Sequence, residues 1–209
     1  MNARKYEQRL RAEAAEETRR RILEAMYERL RQAPAEAISL DQVARAARVA
    51  RSTIYTIFES RAGLFDALFQ YVLERAGFER IVAAVAHADP VEHLRGSLRA
   101  GAQVYAAERD VSRAVYSMAV LNPDAMAGAV QRDEETRAGG MRYLAQRLSE
   151  KGLLRPGMTV EEASDILYVI TGFDTFDLLY TGRGLSAEEV GERLVAMAEG
   201  ALVEPAGQG

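Results

Sequence analysis

The 209-residue chain contains no cysteine, which excludes disulfides, thiolate metal sites and cysteine nucleophiles. Its two histidines, His87 and His93, lie six residues apart across an expected helix break, a spacing that does not make a metal pair. No apolar run approaches the roughly 20 residues of a membrane span. The amino-terminal MNARKYEQRLRAEAAEETRRR is charged throughout and lacks the apolar centre of a secretory leader. A phosphate-binding glycine-rich loop, a GxSxG elbow and an HExxH pair are all missing. These absences point to a cytoplasmic protein that is not an enzyme and has no metal, cofactor or membrane partner.

What is present is 48% apolar residues, enough to bury a core, and a net charge of −4 that is unevenly spread. Through Arg61 there are 13 Lys and Arg against 9 Asp and Glu; from Ala62 onward there are 14 against 22. The amino-terminal part is therefore the basic one, as attraction to a polyanion requires.

The basic part also holds the most informative stretch, Ser39 to Leu64. Leu40, Val43, Ala44 and Ala47 fall at i, i+3, i+4 and i+7, one apolar helix face, and Ser39 with Gln42 reads as a capping box. After Arg48 and Val49, a second short helix places Ile54, Ile57 and Phe58 on one face. Arg51, Ser52, Thr53, Tyr55 and Thr56 fall largely on the other. Two short helices joined by a tight turn form a helix-turn-helix, whose second helix enters the DNA major groove. Ser60 caps the next helix, and Arg61 sits in its first turn, where backbone N–H groups favour a phosphate. Arg51, Thr53 and Thr56, with Ser52 beside them, are the candidates for base readout; Ser39, Tyr55 and Arg61 are candidates for phosphate contact, and Arg48 could add another.

The run Val49-Ala50-Arg51-Ser52-Thr53-Ile54-Tyr55, followed by Phe58, Ser60, Arg61 and Leu64, resembles the signature of the TetR/AcrR family of one-component regulators. Two positions depart from it. Arg48 stands where the family usually has a turn glycine, which predicts either a backbone cost or a turn of different geometry. Ala50 stands where a Ser or Thr often caps the recognition helix, and lacks a side-chain cap worth about 1 kcal/mol.

The rest of the chain reads as helix. Ile22, Leu23, Met26, Tyr27 and Leu30 make an amphipathic helix ahead of Pro34, with residues 1–17 either prolonging it or forming a mobile arm. A helix from Ser60 could run to about Ala86, weakened near Gly77. Asp89-Pro90, with Glu92 as a box partner, opens another to about Glu108; Asn122-Pro123 repeats the device after a helical 110–120. A helix around Met141, Leu144 and Leu148 stops at Gly152. The capping boxes Thr159/Glu162 and Ser186/Glu189 open helices expected over about 160–181 and 187–203, the first apolar nearly all round. The expected architecture is all-α: an extension 1–17, a helix-turn-helix domain 18–60, a helical domain 61–203 and a tail 204–209.

The resemblance implies a repressor that leaves a palindromic operator when a small molecule binds the carboxy-terminal domain, and a homodimer built from the last two helices. Tyr105, Tyr116, Met118, Met126, Met141, Tyr143, Tyr168 and Phe173 could line such a pocket. Asp174 and Asp177, carboxylates in an otherwise apolar helix, could bind a polar or cationic ligand, pair with an arginine across the dimer, or face water. A DNA-binding dimer without a small-molecule effector, or controlled by a protein partner, is the alternative these residues leave open.

Overall fold

The computed structural model describes residues 3–34, 36, 38–121 and 128–204, with side chains from Tyr6 onward. Asn122-Pro123, Met126 and residues 205–209 lie outside it. Among the described residues eleven helices are formed: α1 (Ala3–Gln32), α2 (Leu40–Ala46), α3 (Arg51–Phe58), α4 (Arg61–Ala76), α5 (Glu79–Val85), α6 (Pro90–Ala107), α7 (Arg109–Leu121), α8 (Ala129–Glu150), α9 (Val160–Ile170), α10 (Phe173–Tyr180) and α11 (Ala187–Leu202). Among the described residues there is no strand, only an isolated bridge from Leu154 to Val203 that ties down the end of α11. The all-α expectation is met, and residues from Ala3 onward continue the first helix.

The helices gather into two compact units: residues up to Val72 with 110–130, and residues 73–109 with 131 onward. The core of the first joins Ile22, Leu23, Met26 and Leu30 of α1 to Leu40 and Val43 of α2, Ile54 and Phe58 of α3, and Leu64, Phe65 and Leu68 of α4. Helix α7 belongs to this core too, because Val111, Ala114, Val115 and Met118 fall at i, i+3, i+4 and i+7 and are all buried. Tyr71 stands edge-on to Tyr27, with ring centroids 6.0 Å apart, and its hydroxyl donates to Glu24.

In the second unit α6 packs along α11, and Arg99 on α6 pairs with Glu192 on α11 at 2.6 Å. The capping boxes at Thr159 and Ser186 are both complete. Three expected features are corrected. The helix from Ser60 ends at Ala76, because Gly77 adopts φ +80 and a new helix starts at Glu79. Asp89 caps α6 through the Val91 N–H, but Glu92 turns outward to Arg95 instead of completing a box. The helix expected over 160–181 is two, broken at Thr171-Gly172. Arg137 of α8 explains the break: it donates to the Tyr168 carbonyl at 2.7 Å and the Thr171 hydroxyl at 2.9 Å, satisfying the end of α9 from outside.

A second arginine clamp holds the α5–α6 connection. Arg147 donates to the carbonyls of His87 and Ala88, and to Nδ1 of the buried His93 at 2.9 Å. An arginine only donates, so His93 Nδ1 must accept and the ring is neutral. Burial, then the Arg147 charge, lowers the His93 pKa to about 4. The unfolded chain therefore takes up this proton first, and stability present above pH 6.5 is lost as pH falls toward 4. Asp133, raised to about 6 mainly by burial, acts in the opposite sense, stabilising below its ordinary range and losing that as pH rises.

The contribution of His93 is isolated by comparing wild type with His93→Gln in urea unfolding at pH 7 and pH 4.5. The wild type is expected to lose roughly 2–3 kcal/mol more than the variant over that interval. Equal losses in both proteins would remove His93 from the acid sensitivity.

Candidate nucleic-acid interface

Neither short helix of the head could stand alone in water, since each is about two turns long. Their stability is tertiary. Leu40, Val43 and Ala44 of α2 and Ile54 and Phe58 of α3 are buried against α1 and α4, which leaves Arg51, Ser52, Tyr55 and Thr56 exposed along one side of α3, with Thr53 and Ile57 half-buried at its margins.

The turn between them has a defined form. Val49 N–H donates to the Ala44 carbonyl at 2.9 Å and Arg48 N–H to the Arg45 carbonyl at 3.2 Å, the hydrogen-bond pair of a Schellman helix end. The left-handed position of that motif is Arg48, at φ +55. The turn thus keeps the geometry that glycine would favour, and arginine bears the cost, about 1–2 kcal/mol for a left-handed L-residue. Val49, next in the chain, packs against the core.

Helix α3 starts at Ala50, extended and without a side-chain cap, as its methyl group dictates. At its other end Glu59 adopts φ +64, and Ser60 N–H turns back to the Phe58 carbonyl at 2.6 Å. Arg48 and Glu59 are the two non-glycine residues with positive φ among the described residues, and they bracket α3. Ser60 Oγ then accepts from Gly63 N–H at 3.0 Å to open α4. A Cβ on Gly63 would lie 2.4 Å from the Phe58 carbonyl oxygen, so only glycine lets α4 start this close to α3.

The residues singled out from sequence are placed as follows. Arg51 reaches back to Asp41 of α2 at 3.3 Å, and its guanidinium lies over the Tyr55 ring. Thr56 donates to the Ser52 carbonyl one turn back. The capping box at Ser39 is corrected: the residue is the backbone N-cap of α2, but its hydroxyl makes no capping bond. Arg61 starts α4 with its guanidinium over Phe65. Asp41, Glu59 and Gly63 were not anticipated. Asp41 at i−10 from Arg51 carries no local signal, whereas the small residue at 63, in the first turn after a cap, could have been read as a close approach.

The expected pocket residues are shared between the two units. Met118 is part of the core of the first unit. Tyr116, on the same helix, is half-buried. In the second unit Tyr105 and Phe173 meet edge to face at 5.4 Å, with Phe176 5.5 Å from Tyr105 and Tyr180 stacked on Phe176 at 5.0 Å. Tyr143 is half-exposed beside His93, Met141 is half-buried, and Asp174 is exposed in the first turn of α10. Tyr168 donates to Glu134 and lies under the Arg137 guanidinium. Asp177 is buried and accepts from Arg109 at 2.7 Å and from the Thr181 hydroxyl at 2.7 Å, so its partner is an arginine of its own chain. No group of His and acidic residues arranged for a metal occurs among the described residues.

Residues 22–68 match the family model described as bacterial regulatory proteins, tetR family. The chain is also similar to solved structures over most of its length. One is NalD, the secondary repressor of the MexAB-OprM multidrug efflux pump in Pseudomonas aeruginosa, at 25% identity over 92% of this chain and 98% of that one, with a TM-score of 0.70. Two others share the fold: a TetR family transcription regulator from Marinobacter aquaeolei, 18% identical over 93% of this chain and 100% of that one with a TM-score of 0.67, and the ketosteroid transcriptional regulator KstR2 of Mycobacterium tuberculosis, 19% identical over 90% and 95% with a TM-score of 0.61. A search of curated protein sequences finds no match.

The left-handed Arg48 gives a direct test. Arg48→Gly is expected to stabilise the protein by about 0.5–1 kcal/mol, since relief of the left-handed conformation exceeds the extra freedom of the unfolded glycine. An unchanged or lower midpoint of thermal unfolding would show that the turn carries no strain at this position.

Proposed function

As the chain is a TetR-family transcriptional regulator, we propose that it is a repressor that binds a palindromic operator as a homodimer and is released when a small molecule occupies its carboxy-terminal unit. The observation that carries the DNA-reading part is the exposed row Arg51, Ser52, Tyr55 and Thr56 on a helix whose other side is fixed in the core. Arg51, Ser52, Thr53 and Thr56 read bases. Ser39, Arg48, Tyr55 and Arg61 hold phosphates and set position. The Ser39 hydroxyl, which makes no capping bond, suits that role.

Dimerisation uses the last helices. Val169 on α9, Leu178 on α10 and Met197 on α11 are 65%, 71% and 49% exposed, apolar side chains that a partner subunit could cover. A two-fold dimer doubles the reading surface and matches an operator with two half-sites. The effector site is assigned to the aromatic group around Tyr105 and Phe173. A ligand there acts on DNA affinity only by binding two conformations unequally. Repression is the sign expected from NalD, which is named as a repressor.

Selection of bound sequences from a random DNA pool, at stated salt, is expected to return a palindrome with half-sites about one helical turn apart or a small multiple of it. On that sequence Arg61→Ala should weaken binding to all DNA and lower the salt dependence, while Thr53→Ala and Arg51→Ala should change the preferred bases. Equal losses on specific and random DNA for all three variants would overturn this division of labour. For the dimer, Leu178→Glu should sediment as a monomer at micromolar concentration; an unaltered dimer would place the interface elsewhere.

A further inference from the structure

Asp133 of α8 is half-buried and makes no hydrogen bond or ion pair among the described residues. It stands on the inward face of its helix, in register with Ala129, Leu144 and Leu148, all of them buried. A carboxylate so placed is costly. Burial, then the neighbouring Glu134, raises its pKa to about 6, with Arg137 pulling the other way.

The cation best placed to offset that cost is already engaged. Arg137, one turn along α8, pairs with Glu134 and donates to the Tyr168 carbonyl and the Thr171 hydroxyl. Glu134 in turn accepts from the Tyr168 hydroxyl at 2.7 Å. Arg109, four residues after Tyr105 in the chain, is held by Asp177 at 2.7 Å. Each of these guanidiniums has its own carboxylate, and Asp133 is left over. The charge of this group of side chains is therefore one negative.

The aromatic group lies against the same charges. The Arg137 guanidinium sits 3.9 Å from the centre of the Tyr168 ring, and the Tyr105 hydroxyl of α6 is close enough to act on its charge. Phe173, two residues beyond the Thr171 that Arg137 holds, meets Tyr105 edge to face at 5.4 Å. Aromatic faces attract cations. An anion would find the guanidinium donors spent on the protein's own acceptors and an unpaired carboxylate opposing it.

We propose that the effector site around Tyr105 and Phe173 takes a lipophilic organic monocation, with the Asp133 carboxylate as its counter-charge and the aromatic rings as its walls. This rests on the effector reading above and gives it a ligand class. The cation balances the leftover charge, and its apolar body replaces water at the rings. Because only the ionised carboxylate attracts it, affinity falls as Asp133 takes up a proton. The titratable groups around Asp133 are Glu134 and Arg137 on its own helix and, through Arg137, Tyr105 on α6 and Tyr168 on α9.

The test is calorimetric titration of the full-length protein with tetraphenylphosphonium and tetraphenylborate, ions of nearly equal size and opposite charge. The phosphonium is expected to bind at least tenfold more tightly than the borate at pH 7.5. Asp133→Asn, of the same shape, should weaken the phosphonium about tenfold. Lowering the pH from 7.5 to 5 should weaken it about tenfold in the wild type and leave the variant unchanged, which separates Asp133 from the other groups around it. Unfolding midpoints of both proteins, compared at pH 7.5, establish that the variant is folded. Equal binding of the two ions, no binding of either at millimolar concentration, or an Asp133→Asn affinity equal to that of the wild type would overturn the proposal. The effect on the selected operator is measured separately. Asp133-dependent phosphonium binding that leaves operator affinity unaltered would keep the cation site and remove the effector reading instead.

Discussion

A helix of eight residues has almost no stability of its own, because nucleating its first turn costs more than its few hydrogen bonds return. Helix α3 exists because Ile54 and Phe58 are buried, and everything the reading face can do follows from that anchorage. The anchor is shared by α1, α2, α3, α4 and α7, with Ala129 at the start of α8 joining them. Orientation comes from the ends. The Schellman turn at Arg48 fixes how α3 enters, and the reversal at Glu59, with Gly63 packed on the Phe58 carbonyl, fixes how α4 leaves.

The second unit is organised on a different principle. Its helix ends are held by buried or half-buried arginines: Arg137 at the end of α9, Arg147 over the α5–α6 connection, and Arg109 on Asp177. Arg137 and Arg147 donate to backbone carbonyls that the N–H groups of a left-handed helix end would otherwise satisfy, and Arg109 donates to a side-chain carboxylate. Such clamps fix a geometry through a few directed bonds and give the unit a sensitivity to protonation that an apolar packing would lack.

That contrast explains what could be read from sequence. The head was legible because its signals are local: apolar residues at three- and four-residue spacing, Ser60 before an amphipathic run, and a family motif contained between Val49 and Leu64. Capping boxes at Thr159 and Ser186 were legible for the same reason. The break at Gly172 was legible only as a glycine that could mark a kink, because the group that meets the end of α9 is Arg137, more than thirty residues earlier in the chain. Asp177 shows the same limit. Its isolation in an apolar helix announced a partner, but periodicity could not say that the partner was Arg109. At Ser39 the sequence pattern misled, since Ser followed three residues later by Gln satisfies the box in composition while the side chain does not make the bond.

The two left-handed residues that bracket α3 have a consequence for how such a protein changes over time. The strain is placed at the ends of the helix and the anchors on its buried side, so the four exposed positions 51, 52, 55 and 56 bear almost none of the fold's stability. A duplicated gene could therefore drift at those positions and acquire a different operator without passing through an unfolded intermediate. Ile54 and Phe58 would stay fixed as a chassis while the specificity carried on it diverged.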